Sequence, residues 1–186
     1  MTRVLLFSGS QRQESFNTRL LQRFEFSLQW QCAVDWIAAS QVRLPLFDQD
    51  LEGDVAVRQE VAGLLHRVAA CDALIVASPE YNGQPTPFLK NTIDWITRLA
   101  HIDPSYANPF VDKTVLLCSA STGWSGGAVA MPHLRALFGY IGCNVMGTAI
   151  CIPNAQSKWS VEGYVFSDDT EAQIESALHR LLSFRQ

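Results

Sequence analysis

The sequence predicts an α/β fold: a doubly wound, five-stranded parallel sheet with helices on both faces, built by residues 1–186 as one domain. Three observations carry this. Three short runs, Val4-Leu5-Leu6-Phe7, Ala73-Leu74-Ile75-Val76-Ala77 and Thr114-Val115-Leu116-Leu117-Cys118, are almost uninterruptedly apolar, as strands covered on both faces are. Segments of helical period separate them. The resulting order alternates strand and helix along the chain, the pattern of a parallel sheet joined by crossovers. At 186 residues, 48% apolar and 17% charged, the chain has a globular composition and is long enough to bury about 70% of its unfolded surface.

Each element has its own signal. After the first strand, Phe16, Leu20 and Phe24 keep i, i+4, i+8 spacing, and a second strand fits residues 32–37. Val57, Val61, Leu64, Leu65 and Val68 form one helical stripe behind Asp54 as cap. The third strand is followed by Thr86-Pro87, an N-cap and first helical residue. After the fourth strand comes a helix containing His133-Leu134-Arg135, then a fifth strand over 144–150. Ile174, Ala177, Leu178, Leu181 and Leu182 mark the last helix. Right-handed crossovers bring the carboxyl ends of all five strands to one rim, so a site belongs in the loops that follow them.

Charge and cysteine usage narrow the function. A net charge of -4 with scattered basic residues gives no electrostatic grip on nucleic acid. Five cysteines with no Cys-x-x-Cys pair, each in an apolar run, read as buried free thiols of a reducing, cytoplasmic compartment. The four histidines show no metal-ligand spacing, so no metal site is expected. No apolar stretch reaches the length of a membrane span, and the N-terminal run is too short for a signal peptide.

The rim loops carry the chemistry. The first reads Ser8-Gly9-Ser10-Gln11-Arg12-Gln13-Glu14-Ser15-Phe16-Asn17 and leads into a helix N-terminus, where an anion is already favoured. Ser10, Ser15 and Asn17 add neutral donors, and Arg12 adds a charge-assisted hold on a phosphate. The loop has neither the lysine of a triphosphate loop nor Gly-x-Gly-x-x-Gly, so a terminal monophosphate fits it best. The second loop, Ser78-Pro79-Glu80-Tyr81-Asn82-Gly83-Gln84-Pro85, is stiffened by prolines and an Asn-Gly turn. Its fixed backbone donors suit the edge of a flat heteroaromatic ring, and Tyr81 can cover a face. The third, Ser119-Ala120-Ser121-Thr122-Gly123-Trp124-Ser125-Gly126-Gly127, has small residues for close approach and Trp124 as a lid.

Together these loops resemble the NAD(P)H-dependent FMN reductases, a flavodoxin-like family that includes small quinone, azo-dye and chromate reductases. The resemblance rests on Gly9-Ser10-x-Arg12-x-x-Ser15-x-Asn17, on Ser78-Pro79-Glu80-Tyr81-Asn82-Gly83 with Leu89-Lys90-Asn91-x-x-Asp94-Trp95, and on Ser121-x-Gly123-x-x-Gly126-Gly127 with Leu134-Arg135. It covers most of residues 3–150. It implies that Ser10, Arg12, Ser15 and Asn17 hold the FMN phosphate. Pro79, Glu80, Tyr81, Asn82 and Gly83 would lie along the isoalloxazine ring, and Ser121 and Gly123 close its other edge. It implies hydride transfer from NADPH or NADH through FMN to a small acceptor such as a quinone, azo compound or flavin. No side chain is required as an obligatory acid or base, because the cofactor carries the chemistry. A homodimer or homotetramer is implied, with Trp95 and Arg98 as contact candidates. The chain departs from the family in reading Pro85-Thr86-Pro87 for Ile-Pro-Gly and Thr122 for a proline, and residues 151–167 match no pattern.

Two rivals remain at this level. A flavodoxin-type carrier would hold FMN without oxidising NAD(P)H; such carriers tend to be more acidic than -4 on this length. A serine hydrolase would use Gly123-Trp124-Ser125-Gly126-Gly127 as a nucleophile elbow, with Asp168 or Asp169 and then His179. Against it, His179 falls within a helical stripe.

Overall fold

The computed structural model describes residues 1–160 and 163–183. Five parallel strands, β1 (Arg3–Ser8), β2 (Ala33–Ile37), β3 (Ala73–Ala77), β4 (Thr114–Ala120) and β5 (Asn144–Ile152), form a sheet in the order β2-β1-β3-β4-β5. The helices are α1 (Phe16–Leu28), α2 (Val55–Ala69), α3 (Pro87–Ile102), α4 (Met131–Tyr140) and α5 (Asp168–Ser183). Leu5, Phe7, Leu74, Val76, Val115 and Leu117 pack into one apolar layer with α2, α3 and α4. Their neighbours Val4, Leu6, Ala73, Ile75, Leu116 and Cys118 pack into the opposite layer with α1 and α5. Both faces being covered explains the uninterrupted apolar runs, each fully buried leucine or valine contributing about 1.5–3 kcal/mol.

The caps set where the helices begin. Ser15 Oγ accepts from the Asn17 and Thr18 N–H groups at 3.2 and 3.4 Å. Asp54 Oδ1 accepts from Ala56 and Val57 at 2.8 and 3.0 Å, and Thr86 Oγ1 from Leu89 at 3.2 Å. Each such cap stabilises its helix by about 1 kcal/mol.

Two features depart from the local pattern. The β4–β5 pairing slips between Val115 and Leu117, which face Val145 and Ala149. The guanidinium of Arg135 donates to the carbonyls of Met146 and Gly147 at this irregularity, at 2.7 and 3.2 Å. Arg135, grouped above with the third loop, is thus occupied with the edge strand. The second feature is the stretch after β2, which has no periodicity and contains two short 3-10 turns, Ala39–Gln41 and Gln49–Leu51. It is strapped to α3. Asn91 accepts from the Phe47 N–H at 2.7 Å and donates to the Pro45 carbonyl at 2.8 Å. The Trp95 indole N–H donates to the same carbonyl at 2.9 Å, and its ring meets Phe47 edge-on at 4.9 Å. Only 3% of Trp95 is exposed, which corrects the expectation that it contacts another subunit: its ring is spent inside the chain. Arg98 is forked on Glu52 at 2.5 and 3.3 Å.

Four of the five thiols are buried; Cys151 is only partly so, against the expectation. Burial pushes the Cys71 thiol up to about 11, with Asp35 adding to it, and burial pushes the Cys143 thiol up to about 12. Unfolded thiols ionise near about 8.5. Below that, both states are protonated and the contribution to stability is complete. As pH rises towards the folded-state values, the unfolded chain releases protons that the fold retains, and stability falls. The denaturation midpoint is therefore expected to hold steady from pH 7 to 8 and drop by pH 10. A combined Cys71→Ala, Cys143→Ala variant should show a smaller drop over the same interval; an equal drop would contradict the assignment.

Candidate functional site

β1 and β3 lie side by side, but the chain leaves them in opposite directions, β1 towards β2 and β3 towards β4. The crevice opened at such a reversal is where doubly wound sheets bind ligands. Here the loops after β1, β3 and β4 enclose a cleft of about 550 Å³, within the range of small-molecule sites. Its wall comprises Ser10, Arg12, Ser15, Phe16 and Asn17 from the first loop, Pro79, Glu80 and Tyr81 from the second, Ala120, Ser121 and Thr122 from the third, and Gln156 from beyond β5.

The first loop is folded by its own hydroxyls. Ser8 Oγ meets Thr18 Oγ1 at 2.8 Å and accepts from the Ser10 N–H at 3.4 Å, while Ser10 Oγ accepts from the Arg12 N–H at 3.4 Å. This places Ser10, Arg12 and Ser15 on the cleft wall at the positive end of α1. Arg12 is exposed, and its guanidinium carbon lies 5.2 Å above the Phe16 ring. It is the one cation among the lining residues, and Glu80 is the one acid.

The second loop is held at both ends. Ser78 Oγ donates to the Pro79 carbonyl at 2.9 Å and accepts from the Thr86 N–H at 3.4 Å. Thr86 Oγ1 in turn donates to the Gly9 carbonyl at 2.6 Å, tying this loop to the first. Asn82 and Gly83 have φ of 54° and 75°, and Tyr81 and Gln84 exchange backbone hydrogen bonds at 2.9 and 3.0 Å. Two successive left-handed residues define this tight turn, which explains the Asn-Gly pair. The N–H groups of Glu80 and Asn82 donate to no acceptor among the described residues. Tyr81 is 53% exposed at the cleft edge. The Glu80 carboxylate accepts from the Ala130 N–H at 3.0 Å, linking this loop to the start of α4.

The third loop leans on the chain beyond β5. Ser121 N–H donates to the Ile152 carbonyl at 3.1 Å, and the Ser121 and Gly123 carbonyls accept from Ala155 and Asn154 at 2.8 and 3.1 Å. Ser121 Oγ accepts from the Gly123 N–H at 3.1 Å. Trp124 is 86% exposed.

Of the residues predicted from sequence, Ser10, Arg12, Ser15, Asn17, Pro79, Glu80, Tyr81 and Ser121 line one cleft, whereas Asn82, Gly83 and Gly123 shape the turns beside it. Phe16, Ala120, Thr122 and Gln156 were missed. Phe16 has a signal, its adjacency to the Arg12 loop; Gln156 has none, because its placement depends on how the segment after β5 packs. For the rival hydrolase constellation, no hydrogen bond among the described residues joins Ser125, Asp168, Asp169 and His179. Ser125 Oγ accepts from the Gly127 N–H at 3.4 Å. His179 is exposed on α5, and its neighbour Arg180 donates to Thr148 Oγ1 at 3.1 Å, midway along β5.

Asn17 plays a part the sequence did not disclose. Its carboxamide accepts from the Ala120 N–H at 3.0 Å and donates to the Ala120 carbonyl at 2.8 Å, clasping β4 across 103 residues with 3% exposure. Asn17→Ala would leave both buried groups of Ala120 unsatisfied. It is expected to destabilise the fold by about 2–4 kcal/mol by denaturant titration. Asn17→Asp, which keeps the acceptor alone, should fall between; a loss below about 0.5 kcal/mol for the alanine variant would contradict the clasp.

The donor set suits FMN. A cation and two hydroxyls at a helix N-terminus match a phosphate monoester, and free N–H groups on a rigid turn beside Tyr81 match a flat heteroaromatic edge. Relatives agree in kind. The 2-hydroxy-1,4-benzoquinone reductase of Burkholderia sp is 27% identical over 180 residues, covering 96% of this chain and 93% of that protein. The NADPH:quinone oxidoreductase of Arabidopsis thaliana is 28% identical over 191 residues, covering 99% and 92%. In fold, the chain is similar to FerB, a flavoenzyme NAD(P)H:(acceptor) oxidoreductase from Paracoccus denitrificans, with a TM-score of 0.81 at 23% identity over 99% of this chain and 97% of that one. The family model for NADPH-dependent FMN reductase matches residues 2–157, and on that extent the chain belongs to the NADPH-dependent FMN reductase family.

Proposed function

We propose that this chain takes hydride from NADPH and passes it, through FMN seated in the rim cleft, to a small quinone. Family membership fixes the reaction class, an oxidoreductase that uses NAD(P)H and FMN. The quinone is supported by the relatives named above, and the site by the cleft at the β1/β3 reversal, whose single cation stands at the N-terminus of α1. FMN, when bound, supplies a carrier that accepts hydride from reduced nicotinamide and returns it to the acceptor. The chain does the rest. Arg12 with the Ser10 and Ser15 hydroxyls would hold the phosphate, and the Glu80 and Asn82 N–H groups would meet the ring edge. Tyr81 would cover part of a face, leaving the remainder to nicotinamide and quinone in turn. No side chain need act as acid or base.

Residues 1–186 would act as one FMN-binding unit in the cytoplasm, in keeping with the buried free thiols. No described helix is long and apolar enough to cross a membrane. A homodimer or homotetramer is supported by a groove of about 530 Å³ along α3, lined in part by Thr97, Arg98, His101 and Tyr140, the last 92% exposed. The test is steady-state NADPH oxidation by the FMN-loaded protein with a small quinone. Parallel double-reciprocal lines are expected, because donor and acceptor would use one ring face alternately. Bound FMN with no NADPH oxidation would favour the electron carrier instead.

A further inference from the structure

We infer that the segment after β5, through Trp159, positions the Arg12 guanidinium for its hold on phosphate, an inference that rests on the phosphate assignment above. Beyond β5 the chain forms a short antiparallel hairpin, β6 (Trp159–Ser160) with β7 (Gly163–Tyr164). The Trp159 ring lies parallel to Phe16, with 9° between planes and 6.4 Å between centroids, and is met edge-on by Phe166 at 5.4 Å. Phe16 is the first residue of α1 and carries Arg12 on its ring at 5.2 Å. The order is therefore Phe166, Trp159, Phe16, Arg12, an aromatic stack that ends in the cation of the cleft.

The stack matters because Arg12 has little else to fix it. It is exposed and forms no ion pair among the described residues, so the Phe16 face is what limits its rotamers. A cation over an aromatic face is held in one region of space, and it stays charged and free to donate from its edge. Phe16 itself is only partly buried, and Trp159 stacks parallel to it. Trp159 does not line the cleft, whereas Gln156, three residues before it, does, so the segment reaches the site directly and also braces it. Trp159 is a positioning residue, acting through Phe16 and Arg12.

The experiment compares affinities for FMN and for riboflavin, which differ by the phosphate alone. Removing the stack should lower the preference for FMN by about two- to fivefold, the range of an exposed cation–aromatic contact. Trp159→Ala is expected to do so with riboflavin affinity little changed, and Trp159→Phe to restore the preference. Trp159→Leu keeps apolar volume without a flat face, and serves if the alanine variant does not fold. In an Arg12→Ala background the Trp159 substitutions should leave the preference unchanged. Equal weakening of both ligands, or a change that persists without Arg12, would overturn the inference while leaving the phosphate site intact. A wild-type protein that does not prefer FMN over riboflavin would overturn the phosphate assignment and this inference with it.

Discussion

Arg12→Ala is expected to weaken FMN binding by about ten- to a hundredfold, the range of one or two hydrogen bonds to a charged partner. Thermal stability should stay nearly constant. The contrast follows from where the side chain sits: exposed, at the cleft wall, with the Phe16 ring as its intrachain contact. No buried group is left unpaired by its removal, so the fold loses little. Riboflavin should bind both proteins with similar affinity, and added salt should weaken FMN binding to the wild type more than to the variant. Fluorescence quenching of the flavin reads all of these. Unchanged FMN affinity would remove Arg12 from the phosphate site.

The largest effect on stability is expected at Gly126. Its φ is +62°, and a β-carbon built there would lie 2.6 Å from the Pro153 nitrogen and 2.7 Å from the Ile152 carbonyl carbon. Both obstacles are backbone, in the strand end that also carries the Ser121 hydrogen bond, so nothing can rotate aside. Left-handed backbone costs a non-glycine residue about 1–2 kcal/mol, and overpacking adds about 1–3. Gly126→Ala should therefore cost about 2–5 kcal/mol, a large part of a typical domain's stability. Gly127 has φ +88° and offers a comparison, because its β-carbon would meet the Ser119 side chain, 1.9 Å from Oγ and 2.6 Å from Cβ. Ser119→Gly should recover part of the Gly127→Ala loss and none of the Gly126→Ala loss. Equal recovery in both, by denaturant titration, would contradict this steric account.

The sheet was legible in the sequence because its central strands are covered on both faces. β1, β3 and β4 announce themselves as unbroken apolar runs, and α3 through Thr86-Pro87 at its start. β5 was less clear, being an edge strand whose pairing slips opposite Val115 and Leu117. The stretch strapped by Asn91 and Trp95 was not legible at all, since what orders it comes from α3, more than forty residues further along. Trp95, taken from the resemblance as a subunit-contact candidate, has its intrachain partners Pro45 and Phe47 in that same stretch. In the site, the motif residues that line the cleft sit in loops directly after the strands that place them, which is why they could be picked out together. Asn17 was seen only as a donor to a ligand, because its partner Ala120 is remote in sequence. Gln156 and Trp159 belong to a segment with no motif, and only tertiary packing brings them to the cleft and to Phe16.

The most direct test of the account is an anaerobic absorbance titration of the purified protein, first with FMN and then with NADPH. The account predicts that FMN binds in a one-to-one ratio and that its oxidised absorbance bleaches on addition of NADPH and returns on addition of a small quinone. FMN that binds but is not bleached by NADPH would contradict the reductase reading, and a protein that takes up no FMN would contradict the cleft itself.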